Sequence, residues 1–285
     1  MVKFGIAGKC NKFFEEGHQD MLEMPAWLNR KGLELFEYSF GRGVQLRSET
    51  AATFGAAAKE AGIEFSVHAP YYINMASEDE VKALNSVRYI LQSLKALSHM
   101  GGRRCIFHAG SVGGLSRAEA FSKTMSIMER VLEEKEKGGY HDLILCPETM
   151  GKLSQIGSDP EEILKICLLD SSLIPCYDFG HINSATNGSL KTKDDYRRLI
   201  DRIFEVLGEE RAKVIHIHFT KIMYGAKGEI RHLTFDDDTY GPEFLPLAEV
   251  LYDYKMSPSV ISESDGTQAE DALIMKALYQ SVVIE

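Results

Sequence analysis

Histidines and carboxylates stand at the ends of apolar segments all along this chain. The segments read SVHAP with His68, CIFHAG with His108, LILCPE with Glu148, PCYDFGH with Asp178 and His181, VIHIHF with His216 and His218, and SVISE with Glu263. His232 follows in the loop after VIHIHF, which brings six of the nine histidines into this set. Imidazole and carboxylate donors without thiolate are the ligand set of a hydrolytic transition-metal site. A lone histidine at a strand end is more often a packing residue than a ligand. Here His68, His108, Glu148, Asp178, His216 and Glu263 come from successive strands, and a shared metal satisfies together what would be costly to bury singly. His18, His99 and His141 fall at helix or loop positions and read as surface residues.

The elements that must position these groups follow from the apolar pattern. Runs of strand length cover residues 3–6, 33–38, 63–68, 104–108, 143–148, 173–178, 213–218 and 259–263. Between them lie stretches of helical period, such as EVKALNSVRYILQSLKALSHM and RAEAFSKTMSIMERVLEEKEKGG. Ser77 and Glu80 form a capping-box pattern before the first of these, and Asp159-Pro160 opens another helix. Gly101-Gly102 and Gly138-Gly139 stop helices ahead of the next strands. Eight strand–helix units predict a single (β/α)8 TIM barrel over residues 1–285, with its chemistry at the C-terminal rim of the strands.

Composition agrees with one soluble domain. The 285 residues are 44% hydrophobic and 26% charged, and no apolar run approaches the ~18 residues that a membrane span needs. The start, MVKFGIAGKC, lacks a secretory signal, so a cytoplasmic monomer without membrane attachment is expected. Five cysteines without a Cys-x-x-Cys pair argue against both a thiolate zinc site and a disulfide framework. A net charge of −10 weighs against a protein that coats nucleic acid, but not against local contact with DNA through bound cations. No phosphate loop, dinucleotide fingerprint, His-Glu-x-x-His helix or Gly-x-Ser-x-Gly elbow is present. Arg42, in the loop GRGVQLR after the second strand, is a candidate phosphate contact.

Taken in order, SVHAPYYIN, FHAGS, PETMGKLSQIG, DFGH, IHIHFTK and ISES cover nearly the whole chain. They resemble the endonuclease IV family of abasic-site endonucleases, in its divergent archaeal-type branch, within the xylose-isomerase-like barrel superfamily. The resemblance implies a trinuclear zinc centre that hydrolyses the phosphodiester 5′ to an abasic site in double-stranded DNA, with a metal-bound hydroxide as nucleophile. By the same resemblance His68 and His108 hold one metal, and Glu148 bridges it to a second. Asp178, His216 and Glu263 complete that second site, His181 and His232 hold the third, and Tyr71 acts near the lesion. Glu148 and Glu263 are the implied catalytic carboxylates.

The chain departs from that family in two places. The family pattern Asp-Arg-His reads Ile230-Arg231-His232 here, with Glu229 one residue further back as a substitute, so the ion count is two or three. The family Asn-Asp after the strand-seven histidine is replaced by His218-Phe219. His216 and His218 point to the same face of a strand, so either can be the ligand. The ungapped match IHIHFTK favours His216.

A second chemistry uses the same barrel. Sugar isomerases and epimerases of the superfamily resemble the chain in a Glu, Asp, His, Glu quartet around one Mn2+ or Mg2+. Glu148, Asp178, His216 and Glu263 supply that quartet, with the two glutamates as an acid–base pair for a small sugar. Such an enzyme has no need of His68, His108 or His181.

Overall fold

The structure is a computed structural model that describes residues 1–284. Seven strands run β1 (Lys3–Ala7), β2 (Leu35–Ser39), β3 (Glu64–His68), β4 (Arg104–Phe107), β5 (Ile144–Pro147), β6 (Cys176–Asp178) and β7 (His216–Phe219). A hairpin of β8 (Ile222–Gly225) and β9 (Gly228–His232) follows, and β10 (Ser259–Ser262) is the last strand. β1–β7 and β10 form one parallel sheet in the order β5-β4-β3-β2-β1-β10-β7-β6. Isolated parallel bridges, Leu145 to Leu173 and Glu148 to Cys176, span the seam between β5 and β6. The sheet therefore curls into the expected eight-stranded TIM barrel, with helices outside.

Every predicted strand is present, and the differences have local causes. β6 begins at Cys176 rather than at residue 173, because Pro175 has no N–H to donate to a ladder. The hairpin replaces an expected loop. Its strands are short and mostly half-buried, so they carry no long apolar run.

The two long amphipathic stretches form helices Glu80–Met100 and Arg117–Lys137 as their period requires. The first is not capped by a Ser77–Glu80 box. Asp79 caps it instead, accepting from the amides of Val81 and Lys82 at 2.9 and 3.3 Å. Asp79 directly precedes the first helical residue, whereas the Ser77 amide is engaged in a turn with the Asn74 carbonyl. The capping box occurs one helix later, at Ser116 and Glu119. Asp159 and Pro160 open a helix as expected.

Side-chain alternation divides the barrel wall. Phe36 and Tyr38 face outward, where Phe36 packs on Phe65 of β3 and Tyr38 on Phe54 of the surrounding helix layer. Leu35, Glu37 and Ser39 face the opposite way, into the barrel. Toward the C-terminal ends that interior is polar, with Glu37, Glu148, Asp178, His216 and His218 all buried. The five cysteines are buried and unpaired. Among the described residues, no helix is long and apolar enough to cross a membrane.

Candidate metal centre

Strand register decides which side chains meet. In the β6–β7 ladder Asp178 pairs with His218, and Cys176 with His216. His216 is two residues earlier on the same face, about 6–7 Å deeper at ~3.3 Å per residue. The ladder between β2 and β3 sets Ser39 beside His68 and Glu37 beside Ser66. His108, Glu148 and Glu263 each follow directly on their strands, so all of these groups arrive at one rim.

Three donor groups result at this rim, the first two sharing Glu148. His68, His108 and Glu148 form the first; Glu148, Asp178, His218 and Glu263 the second; His181, Glu229 and His232 the third. Glu148 is shared: one oxygen lies 3.1 Å from His68 Nε2 and 3.2 Å from His108 Nε2, and the other 3.1 Å from His218 Nδ1. Glu263 reaches His218 Nδ1 at 3.5 Å. Glu229 lies 3.5 Å from His181 Nε2 and 3.9 Å from His232 Nε2. Ile230, at the position of the missing aspartate, is 59% exposed.

The histidines are oriented from behind. His68 Nδ1 is 2.8 Å from the Ala69 carbonyl, His181 Nδ1 2.9 Å from that of Thr149, and His232 Nδ1 3.1 Å from that of Glu263. A carbonyl only accepts, so each of these nitrogens carries the proton. Nε2 is left facing the carboxylates, Glu148 for His68 and Glu229 for His181 and His232, where a metal ion would displace its proton. A ring held by one N–H and free at the other is the ordinary state of a metal ligand. Asp178 Oδ2 is buried without a hydrogen-bond partner, which a cation between it and Glu148 would satisfy. The residues present thus fit divalent metal ions.

The electrostatics agree. Burial pushes the Asp178 carboxyl up, against the attraction of His181. Burial acts the same way on Glu148, yet His218 and His108 hold it well below the usual carboxylate range. Glu263 is brought down to about 2, since His218 outweighs its burial. Burial would lower His181, but Asp178 and Glu148 raise it to about 10.

His216 does not enter the second group. This corrects its expected place beside Asp178 and Glu263, which His218 takes. The sequence match aligned residue types, whereas the β6–β7 register sets height in the barrel. His216 Nε2 instead faces Glu37 at 3.0 Å, and burial brings the ring down to about 4, so it is neutral. Cys176, His216 and His218 also lie near one another.

A cavity of about 470 Å3 opens above the centre, lined by His68, His108, His181, Glu229, His232 and Glu263 together with Tyr71, Lys9, Lys152 and Gln155. Tyr71 is 59% exposed, its ring 5.4 Å from that of His68. Arg42 is exposed and lies outside this lining.

A protein family described as xylose isomerase-like TIM barrels matches residues 25–273. The chain belongs to that family. Uncharacterized protein MJ0133 of Methanocaldococcus jannaschii is 33% identical over 97% of this chain and 96% of its own length. Probable endonuclease 4 of Mycoplasmoides gallisepticum is 31% identical over 60% of this chain and 55% of its own. Among solved structures, a D-tagatose 3-epimerase-like protein superposes with a TM-score of 0.74 at 19% identity, covering 99% of each chain. Endonuclease IV from Thermus thermophilus gives 0.70 at 18%, again over 99% of each. These two likenesses establish the fold.

Within this xylose isomerase-like barrel, sequence reasoning overlooked Glu37, Lys9 and Lys152. Glu37 had a signal: it is a lone acid inside the strand LFEYS, on the face that alternation turns inward. Lys9 and Lys152 had a weaker one, each following a strand end by a few residues.

Proposed function

We propose that this metal-dependent barrel hydrolyses phosphodiesters in damaged double-stranded DNA, cutting 5′ to abasic sites with two or three zinc ions. The observation that carries this reading is that three donor groups meet at one rim, two of them sharing Glu148 and the third adjoining it through His181, whose Nδ1 lies 3.4 Å from Glu148. A single-ion isomerase does not call for His68, His108, His181, Glu229 and His232 around one cavity. The sequence similarity to probable endonuclease 4 supports the same reading.

When bound, the ions would lower the pKa of water toward ~7 and neutralise charge on phosphoryl oxygens. The protein's own groups do the rest. Glu148 and Glu263 hold His218 between them and concentrate negative charge where cations are needed. His181 and His232 converge beside Glu229, the carboxylate that takes the place of the family aspartate. Lys9 and Lys152 at the cavity mouth offer cationic contacts to a phosphate backbone in a chain of net charge −10. Tyr71 presents a ring face beside His68 and His108 for an unstacked sugar or base.

The deciding experiment is incision of a duplex oligonucleotide carrying one synthetic abasic site, by zinc-loaded and chelator-stripped protein. A metal-dependent nick on the 5′ side, absent from Glu148→Ala, is expected. Protein that holds two or more zincs and leaves the duplex intact would refute the DNA substrate.

The second reading is a sugar isomerase or epimerase, favoured by the single group in which Glu148 and Glu263 flank His218 and Asp178. About one Mn2+ or Mg2+ per chain, with epimerisation of a ketose, would establish it instead.

A further inference from the structure

We infer that Glu37 is a positioning residue that fixes the tautomer of His218 and so presents its Nδ1 to a metal. The inference rests on the metal centre and not on the choice of substrate. His68, His181 and His232 are each held from behind by a backbone carbonyl. His218 has no such carbonyl: its Nε2 faces Glu37 Oε1 at 3.0 Å while its Nδ1 faces Glu148 and Glu263. Among the described residues, Glu37 is the one buried carboxylate of the barrel interior that lies outside all three donor groups.

Its surroundings assign its role. Ser66 Oγ donates to Glu37 Oε2 at 2.7 Å, and His216 Nε2 approaches the same oxygen at 3.0 Å. Arg104 stands behind His216, 3.5 Å from Nδ1, and is anchored on the carbonyls of Val214 and Ile215 at 2.7 and 3.3 Å. An arginine can only donate, so His216 Nδ1 accepts and its proton lies on Nε2, toward Glu37. Both oxygens of Glu37 are thereby aimed at ring nitrogens, with Nε2 of His216 and Nε2 of His218 at hydrogen-bonding distance though off the ideal line. An ionised carboxylate only accepts, so His218 keeps a proton on Nε2 toward Glu37, and a metal ion at Glu148 and Glu263 would take the place of the Nδ1 proton that now faces Glu148 at 3.1 Å. The chain Arg104–His216–Glu37–His218 thus runs from the barrel interior to the centre. It explains why two histidines on one strand face have different duties: His216 steadies Glu37, and His218 binds.

Glu37→Gln tests this with little change of shape. Ser66 and His216 fix the amide oxygen on their side, which turns the amide NH2 toward His218 and places the imidazole proton on Nδ1. Zinc competition against a chelator is expected to show a ~10–100-fold loss of affinity for the ion at Glu148 and His218. The visible spectrum of the cobalt-substituted protein is expected to shift, since that ion's ligand field changes. Unchanged zinc affinity and an unchanged cobalt spectrum would overturn the inference. So would loss of one whole ion per chain reproduced by Cys176→Ala, because Cys176, His216 and His218 would then hold a metal of their own. Nitrogen-15 NMR of labelled histidine in the unaltered zinc-loaded protein gives a check that no variant need survive. A proton on Nε2 of His218 is expected, and a proton on Nδ1 would overturn the inference. Zinc retention by the unaltered chain tests the centre itself, and the difference between it and Glu37→Gln tests Glu37.

Discussion

Gly228 passes so close to Gly151 that a β-carbon on Gly228 would stand 2.0 Å from the Gly151 carbonyl oxygen. The two segments are bonded there: the Glu229 amide donates to the Gly151 carbonyl at 3.0 Å, and Leu153 donates to Lys227 at 3.3 Å. This contact docks the β8–β9 hairpin on the loop that follows Glu148 and places Glu229 opposite His181. Gly228 also has a φ of +88°, which a side chain rarely adopts. Gly228→Ala is therefore expected to cost about 1–3 kcal/mol locally and to move Glu229 and His232 away from His181. Metal analysis should find one ion per chain fewer, with the ions at Glu148 retained. Full stoichiometry in that variant would show that the hairpin does not hold an ion.

Glu148 is the group on which the first and second donor sets depend. Glu148→Gln keeps its volume and one acceptor oxygen but removes the charge between His68, His108 and His218. Charge stabilisation of this kind contributes several kcal/mol to hydrolysis, so turnover is expected to fall roughly 10^3-fold or more. Zinc retention after dialysis should fall with it. Turnover within tenfold of the unaltered protein would remove Glu148 from the centre.

The strands were legible because they are largely buried and read as apolar runs, six of the eight ending in a ligand type. Their registers were not, since a register belongs to two segments at once. His218 shows the consequence: sequence order favoured His216, while pairing of Asp178 with His218 in the β6–β7 ladder put the other ring at the rim. Glu229 was visible as a substitute for the missing aspartate, but the hairpin that turns it toward His181 is docked by the bond of its amide to Gly151, 78 residues earlier on the chain by their numbers. Glu37 was visible as an acid in a strand, and only the folded barrel shows that its partners are histidines 179 and 181 residues away in sequence.

His181 makes the metal-free protein sensitive to alkali. Asp178 and Glu148 overcome its burial and raise it from 6.5 to about 10. The folded state therefore favours the protonated ring. That contribution to stability is complete below pH 6.5 and is lost as pH rises from there through about 10. The melting temperature of metal-free protein is expected to fall across this window, and His181→Ala to flatten the fall. A metal must displace the same proton, so zinc binding near pH 7.5 is expected to release protons and to tighten as pH rises. Calorimetry in two buffers of different ionisation heat counts them. No proton release would mean that His181 is not a ligand.

Tyr71 separates substrate contact from folding. Its side chain is largely exposed, and its one polar contact, hydroxyl to Ser39 Oγ, is long at 3.4 Å. Its amide bond to the Gly41 carbonyl, at 3.0 Å, survives truncation of the side chain. Tyr71→Ala should thus change stability by no more than about 0.5 kcal/mol, as for other surface substitutions. If the ring stacks on an unpaired nucleotide, the same change removes about 1–3 kcal/mol of binding, or roughly 5- to 150-fold in kcat/KM on abasic duplex. Tyr71→Phe should keep most of that activity, because stacking uses the ring face rather than the hydroxyl. A phenylalanine variant as impaired as the alanine one would assign the work to the hydroxyl instead, which suits a hydroxylated sugar better than a stacked base.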